Sequence, residues 1–195
     1  EGKAVLVEKP ITETVNQAEQ LVEAAKKNSL ILHVGHLERF NPAVEALENL
    51  ISEPKFIEVQ RLGSFSARSL DIDVVLDLMI HDLDIILALI KDEVNVIKST
   101  GIHVLSDKID IANARLEFNS GCIATLTASR VHQGKVRKLR IFEPASYYAI
   151  DYIDQEVKVF PLNGRQTDIK TLKIKKEEPL KKELQNFFKC IKDKK

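Results

Sequence analysis

After Lys91 the spacing of apolar residues changes from every third or fourth position to every second one. That is the period of a strand buried on one face. It predicts strands at 94–105, 110–118, 122–131, 136–143, 147–153, 156–160 and 169–175. Turn-forming stretches such as Phe118–Gly121 and Val131–Gly134 link them, so successive strands are expected to pair antiparallel. In "ANARLEF" and "CIATLTA" the apolar residues read as lying on both faces. A monomer would leave such a second face as a large apolar patch, which predicts self-association through it.

The first third of the chain has a different pattern. Residues 3–8 read as a strand, 12–27 as a helix and 30–35 as a second strand. Thr14 with Gln17 forms a capping box, and Val15, Ala18, Leu21, Val22 and Ala25 make one apolar helix face that stops near Asn28. Strand, helix, strand is one βαβ unit, whose parallel strands normally belong to a larger doubly wound sheet. Asn41 and Pro42 are suited to the N-cap and N1 positions of a helix over 42–51. A strand at 55–63, a polar connection over 64–73, a helix at 74–90 and a closing helix at 178–192 complete the reading. The closing helix would bury Leu180, Leu184, Phe187, Phe188 and Ile191, and the helices 42–51, 74–90 and 178–192 would cover one face of the sheet.

The helix at 74–90 is apolar on nearly every side, so it is expected to be buried. Yet Asp77, His81 and Asp84 fall on one stripe at spacings of four and three. Buried carboxylates and imidazoles are costly unless they are paired or face a polar cavity. Two readings fit: a structural Asp77–His81 pair with an exposed Asp84, or a general base whose tautomer is held by a carboxylate. His33 and His36 could join His81 and an aspartate around a metal, although no dense ligand set of metal spacing is present. Arg39 follows the carboxyl end of a parallel strand, where α/β proteins bind ligands, and could grip an anionic group. The basic stretch 130–140 reads as a solvated hairpin or as a pyrophosphate contact. No Gly-x-Gly occurs, so the dinucleotide fingerprint is not among these residues.

With 29 basic and 29 acidic residues the chain is neutral, which argues against a nucleic-acid or anionic-membrane partner. Cys122 and Cys190 match no metal spacing and read as free thiols in a reducing, cytoplasmic setting. No apolar run reaches the length of a membrane span.

"GKAVLVEKPIT" before a helix, then "HVGHLERFNPAV", then "DLMIHDLDIIL" with Asp-x-x-x-His, resembles the glucose-fructose oxidoreductase / inositol dehydrogenase / MocA (Gfo/Idh/MocA) family. "GHLERFNPAV" looks most like members acting on nucleotide sugars. The resemblance implies an α+β chain: residues 1–36 as the last βαβ unit of a Rossmann domain, and residues 37–195 as a mainly antiparallel open sheet with helices packed on one face. That second part would carry catalysis, substrate binding and oligomerisation.

It further implies hydride transfer between a sugar carbon and NAD or NADP, with a sugar or nucleotide-sugar substrate and a homo-oligomeric state. His81 would take the hydroxyl proton. Lys9 would stabilise the oxygen, and Asp77 would orient one of them or touch substrate. Glu8, Lys9 and Pro10 would lie beside the nicotinamide, with the Lys9–Pro10 bond cis, and Arg39 would bind substrate. No metal site is implied. A larger dinucleotide-binding domain with its phosphate loop would belong upstream of Glu1, so these residues alone are not expected to turn over. Two other classes stay open: a sugar-binding or assembly module without cofactor, and a metal-dependent hydrolase built on His81 and aspartates.

Overall fold

Strand β1 (Val5–Glu8) pairs parallel with β2 (Leu32–Gly35), and the helix α1 (Val15–Lys27) crosses between them. Thr14 caps α1 in a reciprocal box with Gln17, and Asn28 ends it, as the spacing predicts. These coordinates belong to a computed structural model of the chain that describes residues 2–66, 71–162 and 169–193. Residues 67–70 of the predicted polar connection lie outside the described residues. The Lys9–Pro10 peptide bond is cis.

From β2 the chain enters a 3₁₀ turn (Leu37–Phe40) and then α2 (Pro42–Leu47), capped by the Asn41 side chain on the Ala43 N–H at 3.1 Å. Helix α2 is shorter than the predicted 42–51. Strand β3 (Phe56–Leu62) follows, and Asp73 then accepts N–H groups of Val75 and Leu76 to open the next helix. That helix begins as a π turn (Val75–Met79) and continues as α3 (Ile80–Leu89).

Seven further strands make up the rest: β4 (Val94–Ile102), β5 (Ile111–Phe118), β6 (Ile123–Ser129), β7 (Val136–Phe142), β8 (Ser146–Asp151), β9 (Glu156–Pro161) and the short β10 (Lys170–Thr171). Strand β4 stops short of the predicted 105, because Asp110 gathers the Val104, Leu105 and Ser106 N–H groups into a loop.

The eight-stranded sheet has the order β10-β9-β8-β7-β3-β6-β5-β4. It is antiparallel except where β3 lies parallel to β6. The expected hairpin between β6 and β7 does not exist: β3 sits between them. The connecting stretch instead crosses the end of β3, where Gly63 N–H meets Ser129 O at 2.8 Å and His132 N–H meets Gly63 O at 2.9 Å. Alternation shows which face a residue takes but not which strand lies next to it, and β3 offers backbone bonds on both edges.

The core lies between one face of this sheet and the helices α2 and α3. Ile57, Val59, Leu126, Leu139 and Ile141 meet Leu47, Val74, Met79, Ile85 and Ile86 there. The other face differs from the expectation of apolar residues on both sides. Ala112, Ala114, Leu116 and Phe118 of β5 all point inward, leaving Asn113, Arg115 and Glu117 outside. In β6, Ala124, Leu126 and Ala128 are inside, and Thr125 and Thr127 outside. The open face does carry one aromatic row across four strands: Phe56, Phe142, Tyr147 and Phe160, with centroids 6.0, 4.8 and 4.7 Å apart in turn.

Helix α4 (Pro179–Asp193) also departs from expectation. It packs on the 3₁₀ turn and sets Phe187 edge-on to His33 at 5.9 Å, rather than covering the sheet. Leu180, Leu184, Phe188 and Ile191 are exposed, Phe188 at 65%. Val15, Leu21 and Val22 of α1 are exposed too, because two strands offer little surface for a helix to cover. No described helix is long and apolar enough to cross a membrane.

Candidate active site

The carboxyl ends of β1 and β2 meet the π turn of the central helix. From β1, Lys9 donates to the Asp77 carbonyl at 2.6 Å and lies 3.5 Å from its carboxylate. His81 stands one turn further along. The structure therefore brings together the three residues Lys9, Asp77 and His81, from segments far apart in sequence. It does not make the Asp77–His81 pair that regular α spacing suggests. A π turn carries an extra residue, which alters the stacking of side chains four apart. Asp77 pairs with Lys9, and the buried Nδ1 of His81 has no hydrogen-bond partner among the described residues.

Behind His81 lies a charged cluster that the sequence reading does not contain. Arg61 of β3 is only 1% exposed. Its guanidinium donates to both oxygens of Asp82 at 2.7 and 2.9 Å and to Glu38 at 3.0 Å, and it stacks over the Tyr152 ring at 5.4 Å. Glu38 also accepts from Arg137 at 3.2 Å and from Asn41 at 3.2 Å. Burial alone would favour a neutral guanidine, but Asp82 and Glu38 outweigh it and raise the Arg61 pKa. Asp82, next to His81, is thus the partner of Arg61. Among the described residues no three His, Cys, Asp or Glu side chains stand close enough to hold a metal.

Burial, together with the positive charges of Arg61, Lys9, Arg137 and His36, lowers the His81 pKa to about 3. The imidazole is therefore neutral at ordinary pH, and the same burial and positive charges oppose its taking up a proton. A folded pKa below the unfolded one means that stability is fully present above the unfolded value near 6.5 and is lost as pH falls toward 3. Between about pH 7 and pH 4, wild type is expected to lose about 2 kcal/mol more than His81→Gln, allowing for the ring's partial exposure. Urea melts across that range would show it; parallel curves for the two proteins would refute it.

Arg39 and Asp84 form a bidentate pair at 2.6 and 2.7 Å through Nε and Nη2, with His36 Nδ1 3.7 Å from the same carboxylate. Asp84 is thus engaged rather than idle. Glu8 lies against Gly35, where an added Cβ would come within 3.2 Å of its Oε2. Buried Glu183 of α4 has a neighbour in Glu8, and burial first, then that negative charge, raises its pKa.

Two family models match the chain: "Oxidoreductase family, NAD-binding Rossmann fold" over residues 1–36, and "GFO/IDH/MocA C-terminal domain" over residues 54–143. The chain belongs to the Gfo/Idh/MocA oxidoreductase family. It is 38% identical over 160 residues to UDP-N-acetylglucosamine 3-dehydrogenase of Acidithiobacillus ferrooxidans, a match covering 82% of this chain and 51% of that protein. It is 26% identical to scyllo-inositol 2-dehydrogenase (NAD(+)) of Bacillus subtilis, over 98% of this chain and 61% of the relative. A solved structure of the Acidithiobacillus enzyme superposes with a TM-score of 0.92 at 33% identity, covering all of this chain and 64% of that one. Levoglucosan dehydrogenase shares the fold, with a TM-score of 0.86 at 16% identity. The chain thus spans between half and two thirds of the length of these relatives.

This family's cofactor is a nicotinamide dinucleotide, and the residues present fit its reactive end. The carboxyl edge of a parallel pair is where such folds hold ligands, and Lys9 and neutral His81 converge beside it. The phosphate loop that grips the rest of a dinucleotide is not part of this sequence.

Proposed function

We propose that residues 37–195 form the catalytic, substrate-binding part of a nicotinamide-dependent sugar dehydrogenase acting on a nucleotide sugar, and that residues 1–36 complete its dinucleotide-binding domain. The observation that carries this reading is the meeting of Lys9, Asp77 and His81 at the carboxyl edge of β1 and β2. The cofactor, NAD or NADP, supplies the hydride acceptor, with Glu8, Lys9 and Pro10 beside its reactive ring.

Everything else falls to the chain. Lys9, anchored by the carbonyl and carboxylate of Asp77, aims its ammonium at the substrate oxygen and stabilises the charge developing there. His81 accepts the hydroxyl proton; its low pKa keeps it unprotonated beforehand. The imidazolium so formed lies near Arg61 and Lys9, which favours passing the proton onward. Arg39, half exposed and steadied by Asp84, contributes to substrate binding.

Lys9→Met tests this reading with residues 1–195 joined to the remainder of a dinucleotide-binding domain, which supplies the phosphate loop. NADH formation from NAD⁺ and UDP-N-acetylglucosamine is expected to slow roughly 10²-fold in kcat. An unchanged kcat would remove Lys9 from the mechanism.

Self-association through the open sheet face belongs to the same reading, supported by the aromatic row of half-buried Phe56, Phe142, Tyr147 and Phe160. Light scattering is expected to find an oligomer that Phe142→Glu splits into monomers; a monomeric wild type would rule the interface out. A cytoplasmic setting fits the two free cysteines, Cys122 and Cys190.

A further inference from the structure

We propose that a cavity of about 330 Å³ beside Asp77 receives phosphate groups of the substrate, with Arg137 and Lys135 as their ligands. This rests on the dehydrogenase reading above and names where the charged end of its substrate lies. Asp77 and Leu78 close one end of the cavity, next to the lysine that would face the reacting oxygen. Arg61, Arg130, Lys135 and Arg137 line the remainder, so four cations face a single carboxylate.

The four cations play different parts. Arg61 is committed to Asp82 and Glu38. Arg130 is held by Asp110 at 2.7 Å, by the Ile72 carbonyl at 3.0 Å and by the Ser106 hydroxyl at 3.1 Å. Both are fixed walls whose charges are balanced by those acids, which leaves Lys135 and Arg137 to meet an entering anion. Among the described residues Arg137 is engaged through Nη1 alone, at 3.2 Å to Glu38, which leaves Nε and Nη2 for a ligand. Lys135 is exposed and has no ion-pair partner among the described residues. A planar fork beside a mobile point charge suits phosphate oxygens, which take both kinds of donor.

Two observations narrow the ligand. Lys135 and Arg137, the two cations with donors to spare, line one concave cavity, which suits an anionic group small enough to enter it. None of residues 1–36 lines the cavity, which places it on the substrate side of Lys9 and away from the cofactor strands. A sugar carrying a diphosphate would lay its ring over Lys9 and His81 and its phosphates in the cavity.

Calorimetric titration of the 195-residue chain with inorganic pyrophosphate, UDP and NADP⁺ tests the assignment. Pyrophosphate and UDP are expected to bind saturably, more weakly as salt rises. Lys135→Ala and Arg137→Met should each weaken binding about tenfold. Lys138→Ala, which removes an exposed cation from the opposite face of the sheet, should change nothing. Lys135 is exposed and has no side-chain hydrogen bond or ion pair among the described residues, so it keeps the test sound even if Arg137→Met unsettles Glu38.

Absence of saturable binding at millimolar pyrophosphate and UDP would overturn the proposal. Equal weakening by Lys138→Ala would do the same, as would a cavity that takes NADP⁺ in preference to both other probes. The dehydrogenase reading fails on a different measurement, the turnover of Lys9 and His81 variants, so the two outcomes separate.

Discussion

His81→Ala is expected to lower kcat by roughly 10²–10⁴-fold while the protein stays folded, the loss usual for a positioned general base. The imidazole is needed when the hydroxyl proton leaves, so the effect should fall on kcat and leave KM largely alone. His81 holds no structural pair that its removal would break: its Nδ1 has no hydrogen-bond partner among the described residues, and Asp77 is occupied by Lys9. A conventional Asp–His pair would predict the reverse, an early melt with normal turnover in whatever remained folded. The deciding measurement is kcat and Tm on the same variant, with residues 1–195 linked to the remainder of a dinucleotide-binding domain. A variant that melts early yet turns over normally would end the catalytic assignment.

Asp82→Ala, one residue away, is expected to do the opposite and destabilise the fold by about 3–5 kcal/mol. It would strand the guanidinium of Arg61, which is almost wholly buried and keeps, among the described residues, only Glu38 as an acidic partner at 3.0 Å. Breaking one side of a buried ion pair costs far more than replacing both sides, so Arg61→Leu with Asp82→Leu should recover much of the loss. Urea unfolding of the single and double variants checks this. A loss under about 1 kcal/mol for Asp82→Ala would mean that water reaches Arg61 and that the cluster is not dry.

These neighbours show how far the sequence could be read. The helix predicted over 74–90, found as a π turn over Val75–Met79 and α3, the capping box at Thr14, the Asn41 cap and the meeting of Lys9, Asp77 and His81 follow from local spacing and from a family resemblance. The Arg61 cluster does not follow from spacing in any one segment, because its members come from the 3₁₀ turn, β3, α3 and β7. One signal was nevertheless present. Ile57, Val59 and Arg61 share one parity of a strand, so an arginine falls in line with two core residues and must find acids there. The apolar faces of α1 and α4 misled in the other direction: a helical stripe shows that burial is favourable, not that a surface is available to provide it.

The insertion of β3 between β6 and β7 also governs how the sheet can assemble. Hairpins β4–β5, β5–β6, β7–β8 and β8–β9 close over short loops and need nothing from the rest of the chain. Strand β3 must be placed between the two resulting ribbons, through contacts such as Thr125 to Ile57 and Arg140 to Glu58 that span 68 and 82 positions. The entropy of closing such loops is lost before any pairing is gained, so docking of β3 is expected to be the slow event in folding. Until it docks, β6 and β7 are two open edges of matching register. At high concentration the β3 of another chain can fill that slot, making a strand-exchanged dimer whose sheet is identical to the native one.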